Sequence, residues 1–329
     1  MDAGARIGTT TMSYGPQEKP GRLGIGIIGA GKVGTVLGAA LRAAGHAVVG
    51  VSAVSEASKE RAELLLPQVP VLTIPDVVER AELVLLAVPD DALEPLVSGL
   101  AAVGAWQPGQ IVAHTSGRFG VGVLSPIRAA GAIPLAIHPA MTFTGLSMDL
   151  ARLPDSSFGV TADAAMLPIA QALVVEMGAE PVVIAEADRP LYHAALAHGA
   201  NHLATLVAQS AELLGSIGVV GAERLLGPLL RAALDNALAS GENALTGPVV
   251  RGDVGTVRAH IDALAESSAE ILAAYRAMAS TTAARAVERG KLSIEQLGLL
   301  QNALAGSSAQ AEELEDAGSQ DSDDEQEST

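Results

Sequence analysis

From residue 23 onward, short apolar runs alternate with stretches whose apolar residues recur every three or four positions. The runs at 23–28, 47–51, 69–72, 83–88, 110–113 and 133–137 predict strands, and 158–161 and 181–185 predict two more. Helical spacing fills the intervals at 33–44, 56–65 and 75–81, from Pro89-Asp90-Asp91 to about residue 103, and between the last two strands. Within 33–44, Val33, Leu37, Leu41 and Ala44 share one face. Short buried strands joined by helices pack as an α/β fold, here a doubly wound, mostly parallel sheet.

After Asp188 the strand-like runs stop. Residues 189–214, 222–240, 253–266, 267–288 and 294–304 all carry helical spacing, so an all-helical C-terminal domain is expected. Ser293 with Gln296 three residues on predicts a capping box for the last helix. The expected organisation is a disordered N-terminal segment at 1–20, a sheet domain at 21–187, a helical domain at 188–305 and a disordered tail at 306–329. That tail holds nine acidic residues between Glu312 and Glu327, about half of the chain's net charge of −17.

Composition narrows the function classes. Aromatic residues are only 2% of the chain, which leaves few stacking platforms for bases, and the acidic balance repels phosphate backbones; no nucleic-acid partner is expected. There is no cysteine, which excludes disulfides and thiolate chemistry and fits a reducing, cytoplasmic setting. Residues 1–20 lack the basic start and apolar core of a secretory signal, and no membrane span is expected. Leu225, Leu226, Leu229, Leu230, Ala233 and Leu234 give the helical domain more apolar face than one small core needs, so a homodimer through that domain is expected.

The candidate chemistry begins at Gly29-Ala30-Gly31-Lys32-Val33-Gly34, between the first strand and the first helix. Gly29 permits the tight turn, Gly31 lets a pyrophosphate approach the backbone, and Gly34 lets the helix pack close to the sheet. The phosphates then meet free N–H groups at a helix N-terminus. A dinucleotide with an unphosphorylated ribose is usually held by an acidic residue about 20 positions later. Here the second strand leads instead into Ser52-Ala53-Val54-Ser55, with Ser58, Lys59 and Arg61 beyond, which favours NADP. Val88 and Pro89, at the end of the fourth predicted strand, are expected beside the cofactor ribose, and Asp90 and Asp91 are expected as helix N-caps.

Substrate chemistry is expected at later strand ends. His114-Thr115-Ser116-Gly117 offers an imidazole and hydroxyls, and His138-Pro139 a second imidazole. On the first helix of the helical domain, His193 and Asn201 are two turns apart, about 80° round the axis of a regular helix. His198 and His202 stand at i and i+4, but no acidic residue accompanies them, and no metal is expected. In Thr246-Gly247-Pro248-Val249-Val250-Arg251-Gly252-Asp253, Asp253 is the expected N-cap and Arg251 the expected grip on a substrate carboxylate.

Taken in order, these motifs resemble the bacterial Rossmann-like oxidoreductases with a helical C-terminal domain of unknown function. The resemblance runs from about Gly21 to Leu304 and points to relatives such as pyrroline-5-carboxylate reductase, 6-phosphogluconate dehydrogenase and ketopantoate reductase. It implies reduction of 2-dehydropantoate as a candidate activity, within pantothenate biosynthesis. Related hydroxyacid dehydrogenases place Lys and Asn on the helix after the nucleotide domain; here His193 stands at the equivalent of the Lys, and Asn201 supplies the amide. The expected activity is therefore NADPH-dependent reduction of a small 2-oxo acid. His193 is the expected general acid and His138 the reserve, Asn201 and Ser116 orient the carbonyl, and Arg251 holds the carboxylate. An imine reductase of the pyrroline-5-carboxylate type and a non-catalytic NADP-binding sensor are the alternatives.

Overall fold

The computed structural model describes residues 22–306, and the expectations of disorder at 1–20 and in the acidic tail lie outside the described residues. Seven strands form one sheet: β1 (Gly24–Ile28), β2 (Ala47–Ser52), β3 (Leu83–Leu86), β4 (Ile111–His114), β5 (Ile133–Pro139), β6 (Ser157–Ala162) and β7 (Glu180–Val183). Their order is β2-β1-β3-β4-β5-β6-β7, with every pair parallel except β5 and β6, which run antiparallel. The sheet is thus doubly wound and mostly parallel. Chain order reverses between β1 and β3, the position where such sheets open a crevice at their carboxyl edge.

Strand side chains alternate between two cores. Ile25, Ile27, Leu83, Leu85, Ala113, Leu135 and Ile137 pack on one face under α1 (Lys32–Ala43), α2 (Glu56–Leu65) and α5 (Leu167–Glu176). Ile28, Val84, Leu86 and Val112 pack on the other under α3 (Ile74–Arg80), α4 (Asp90–Ala102) and a 3₁₀ segment, Val121–Ala130. Burial on both faces explains why β3 and β4 read as unbroken apolar runs. The strand expected at 69–72 does not form. Pro70 brings no N–H, and Thr73 already caps α3, so pairing with β2 stops at one bridge between Val51 and Val71.

The described residues form two compact units that divide between Ala200 and Asn201. Helix α6 (Arg189–Leu196), expected at the start of the helical domain, therefore belongs to the sheet unit. The single helix expected over 189–214 is three pieces: α6, a π turn over Ala197–Asn201, and α7 (His202–Ser216). The second unit continues with α8 (Ala222–Ser240), α9 (Val254–Ser267), α10 (Ala269–Glu288) and α11 (Ile294–Ala305). Its core is built by α9, α10, α11 and the segment around Val249 and Val250. The capping box of Ser293 and Gln296 is present at the start of α11. No helix among the described residues is long and apolar enough to cross a membrane.

Candidate active site

β1 runs directly into Gly29, whose φ of +102° disfavours any side chain. A Cβ at Gly29 would also run into the Ala87 carbonyl oxygen, and one at Gly34 would collide with the Gly29 carbonyl. These two glycines let the turn close and α1 lie against the strands. The Gly29 and Ala30 N–H groups both donate to the Ser52 carbonyl, at 3.3 and 3.1 Å, which ties the turn to the end of β2. Val88 stands alongside, with Cγ1 3.4 Å from where a Gly29 Cβ would be.

Gly31 differs from both. Its φ of −74° and ψ of −173° suit any residue, and a Cβ there would meet nothing within 4 Å. It is the N-cap of α1, no side chain caps the helix, and the first turn holds no acidic residue. Bare N–H groups at the positive end of a helix, under open space, fit the phosphates of a dinucleotide.

The end of β2 supports the expected ribose contacts less simply. Ser52 is buried with its carbonyl engaged in the turn, and the Ser55 hydroxyl caps α2 by accepting from the Ser58 N–H at 3.2 Å. Lys59 pairs with Glu56 at 2.7 Å. Lys32, within the turn, and Arg61 both approach Gly145, where their Cγ and Cδ would lie 3.0 and 3.1 Å from a Cβ. The Arg61 Nε is buried without a hydrogen-bond partner. The expected capping role of Asp90 and Asp91 is corrected: Pro89 is the N-cap of α4, and both aspartates lie in the first helical turn, where they favour the positive end of the dipole.

β4 and β5 end on the same edge of the sheet as β1 and β3, because the four are parallel. His114 is fully buried there. Its Nε2 donates to the Gly120 carbonyl at 2.8 Å, and its Nδ1 accepts from the Ser116 N–H at 3.1 Å. Both ring nitrogens are thus spent on shaping the turn after β4. Burial, the largest influence, lowers the His114 pKa to about 4, against the pull of the Gly120 bond. The Ser116 hydroxyl faces the same turn and accepts from the Phe119 N–H at 3.3 Å.

That turn delivers Gly117 to a point between two imidazoles. A Cβ on Gly117 would stand 2.7 Å from His193 Cδ2 and 2.8 Å from His138 Nε2. The rings of His138 and His193 meet edge to face, with centroids 5.9 Å apart. The two candidate acids, from β5 and α6, therefore share one point in space. The His138 Nδ1 is bonded to the Tyr192 hydroxyl at 2.9 Å. Glycine at 159, opposite His138 in the β5–β6 pair, makes room for that phenol, because a Cβ there would lie 2.6 Å from the Tyr192 oxygen. Burial first, then the charges of Arg189 and His193, lower the His138 pKa to about 4.

Beneath this cluster lies Arg189, fully buried at the start of α6. Its Nε donates to the Thr161 hydroxyl at 2.8 Å, Nη1 to the Ser116 carbonyl at 3.5 Å, and Nη2 to the carbonyls of Ala136 and Gly159 at 3.2 and 3.0 Å. These acceptors are all neutral, so a guanidinium charge sits in the interior and burial pulls its pKa below the usual arginine value. It also lies 5.7 Å from the Tyr192 ring. Glu186, one turn earlier, accepts from the N–H groups of Val121 and Gly122 at 2.8 and 2.9 Å and so caps the 3₁₀ segment after β4.

Sequence reasoning missed Arg189 and assigned Tyr192 no role. An arginine before Pro190 at a helix start is ordinarily solvent-exposed, and nothing local marks this one as interior. Asn201 and Arg251 belong to the second unit. The π turn corrects the helical spacing assumed for His193 and Asn201: an extra residue per turn breaks the regular 3.6-residue count between them. Asp253 caps α9 as expected, accepting from the Thr256 N–H at 3.1 Å.

Residues 9–139 match the Rossmann-like domain family, and residues 156–282 match a family described as a domain of unknown function, DUF2520. No curated protein matches the chain. Among solved structures, a candidate NADP oxidoreductase from Bacteroides fragilis is 21% identical with a TM-score of 0.66, over 80% of this chain and 98% of that one. An imine reductase from Myxococcus stipitatus in complex with NAD+ is 16% identical with a TM-score of 0.53, over 82% and 94%. The Plasmodium falciparum pyrroline carboxylate reductase with NADP bound is 11% identical with a TM-score of 0.52, over 82% of this chain and 97% of that one. At these identities the likeness is one of fold. The chain carries a Rossmann-like domain followed by a DUF2520 domain.

Proposed function

We propose that this protein is an NADPH-dependent oxidoreductase that reduces a small 2-oxo acid. One observation carries the reading: parallel strands bring an uncapped glycine turn with open space at Gly31 and a pair of imidazoles around Gly117 to the same edge of one sheet. A reduced nicotinamide, when bound, supplies the hydride. The protein's part is to bind the diphosphate on the bare N–H groups of α1, hold the reducible carbon near Gly117, and deliver a proton from the His138–His193 pair. NADP rather than NAD is supported by the absence of a carboxylate from Ser52 to Ser55 and by the cation of Lys32 in the turn, with Arg61 meeting the same glycine, Gly145. 2-Dehydropantoate is the compound that the sequence resemblance implies. The orienting role of Asn201 and the carboxylate-holding role of Arg251 rest on side-chain chemistry alone, and Arg251→Ala is expected to raise KM more than it lowers kcat.

A cyclic imine is the second reading, favoured by the fold shared with an imine reductase and a pyrroline carboxylate reductase. The test is NADPH oxidation against a panel of 2-oxo acids and cyclic imines, with His138→Ala and His193→Ala alongside. Turnover restricted to imines selects the second reading. Tight NADPH binding without any turnover leaves a nucleotide-binding sensor, and no binding of either coenzyme removes the reading altogether. We also propose a homodimer through the helical unit, supported by Leu225, Leu229 and Leu238 of α8, which are 58%, 65% and 78% exposed. Sedimentation of the wild type against Leu229→Glu tests it, and a wild-type monomer would exclude it.

A further inference from the structure

We propose that Tyr192 and His138 form a two-step proton relay, in which the His138 Nε2–H protonates the substrate while the Tyr192 hydroxyl protonates Nδ1. The inference rests on the reductase reading above and specifies which imidazole acts and where its proton originates.

The geometry gives the two ring nitrogens of His138 different tasks. Nδ1 is 2.9 Å from the Tyr192 oxygen, and Nε2 lies on the other side of the ring, 2.8 Å from where a Gly117 Cβ would stand. The backbone of Gly159 supplies a hydrogen bond that favours the phenolate form of Tyr192, as a donated N–H does. With that bond received, the phenol's own O–H is directed to Nδ1, which fixes the proton of neutral His138 on Nε2. His193, by contrast, presents a ring carbon, Cδ2, to the same point.

His138 is neutral at pH 7, since its pKa is lowered to about 4, first by burial and then by Arg189 and His193. The other charges acting on it come from Asp90 at the start of α4 and His114 on β4, and Glu186 acts on Arg189. A neutral imidazole is a feeble acid unless its far nitrogen gains a proton as the near one loses its own. Tyr192 supplies that proton. Burial raises the phenol's pKa, against the opposing influence of Arg189 and Gly159, so it stays protonated through neutral pH.

As the substrate carbon accepts the nicotinamide's hydride, its oxygen or nitrogen gains negative charge and takes the Nε2 proton. The Nε2–H bond breaks, an Nδ1–H bond forms, and the Tyr192 O–H bond breaks to leave a phenolate. The guanidinium of Arg189, 5.7 Å from the ring, stabilises that phenolate; Nδ1 then returns its proton to the phenolate as water protonates Nε2, which restores the phenol and the Nε2–H tautomer.

The test joins kinetics to a reading of the protein alone. In the wild type, kcat for reduction is expected to hold from pH 6 to about 10, the ordinary phenol range. An imidazolium donor of ordinary pKa would lose activity about tenfold per unit above about pH 6.5. Tyr192→Phe is expected to lower kcat about 100-fold with KM within about threefold, and His138→Gln to lower it equally. The double variant should be no worse than either single one, as for residues acting as a unit. In D₂O mixtures the wild-type rate should depend on two protons and that of Tyr192→Phe on one. By ¹⁵N NMR, His138 should carry its proton on Nε2 at pH 7 in the wild type, with more Nδ1–H in Tyr192→Phe. Unchanged kcat and pH profile in Tyr192→Phe, or His138 protonated on Nδ1 in the wild type, would overturn the relay. A wild type with no turnover on any substrate would instead remove the reductase reading, and with it this role, whatever the NMR result.

Discussion

Two glycines at one edge of the sheet make a useful contrast. Gly31 has ordinary dihedral angles and nothing near it, so the fold does not demand a glycine there. Gly117 is buried and crowded by two imidazoles, so the space a side chain would use is already filled by protein. The first lacks a side chain for the sake of something that approaches from outside, and the second for the sake of its neighbours. The same residue type thus marks the cofactor's place in one case and the positioning of the acids in the other.

The contrast breaks most sharply with Gly31→Val. The variant is expected to fold with a melting temperature within a few degrees of wild type while NADPH affinity by calorimetry falls by at least about 100-fold, beyond the loss of one good contact. Unaltered affinity would mean that no phosphate lies over α1. Gly117→Ala should do the reverse. With a methyl 2.7–2.8 Å from both rings, the imidazoles must move, and kcat should fall about 100-fold, the scale of a misplaced catalytic group, with NADPH affinity within about threefold. Wild-type kcat in that variant would separate Gly117 from the chemistry.

A smaller effect concerns His114, which holds the turn carrying Gly117. Its folded-state pKa of about 4 lies below the unfolded value near 6.5, so between these values the unfolded chain binds more protons. Stability is complete above about pH 6.5 and falls as pH drops toward 4, by up to about 1.4 kcal/mol per unit from this group. Denaturant titrations across that window measure the slope, and His114→Gln should flatten it. The smallest expected change is at the end of β2. Because the Ser55 hydroxyl caps α2, Ser55→Ala should cost about 1 kcal/mol in chemical denaturation while NADPH affinity stays within about twofold. A large loss of affinity without loss of stability would return Ser55 to the ribose.

Much of the nucleotide half was legible because its signals are local. The turn from Gly29 to Gly34 needs backbone conformations and close approaches that only glycine supplies, and the strands of a sheet covered on both faces read as apolar runs. The failures have equally local causes. The run at 69–72 looks like a strand, yet Pro70 and the Thr73 cap leave it one bridge. The serines after β2 look like ribose ligands, yet the start of α2 uses one of them as its cap.

The sequence by itself determined the alternation of strands and helices, the glycine turn and the change to an all-helical second half, because each depends on neighbours within a few residues. Tertiary structure alone decided which side chains meet at the strand ends. Gly117, His138, Gly159, Arg189 and Tyr192 come from four separate segments, and their contacts depend on strand register and on the path of the chain after β7. Whether an arginine is solvated or buried against carbonyls, and whether a histidine is an acid or a neutral relay, is fixed by those distant contacts, since desolvation and charge depend on what surrounds a group rather than on what precedes it in the chain.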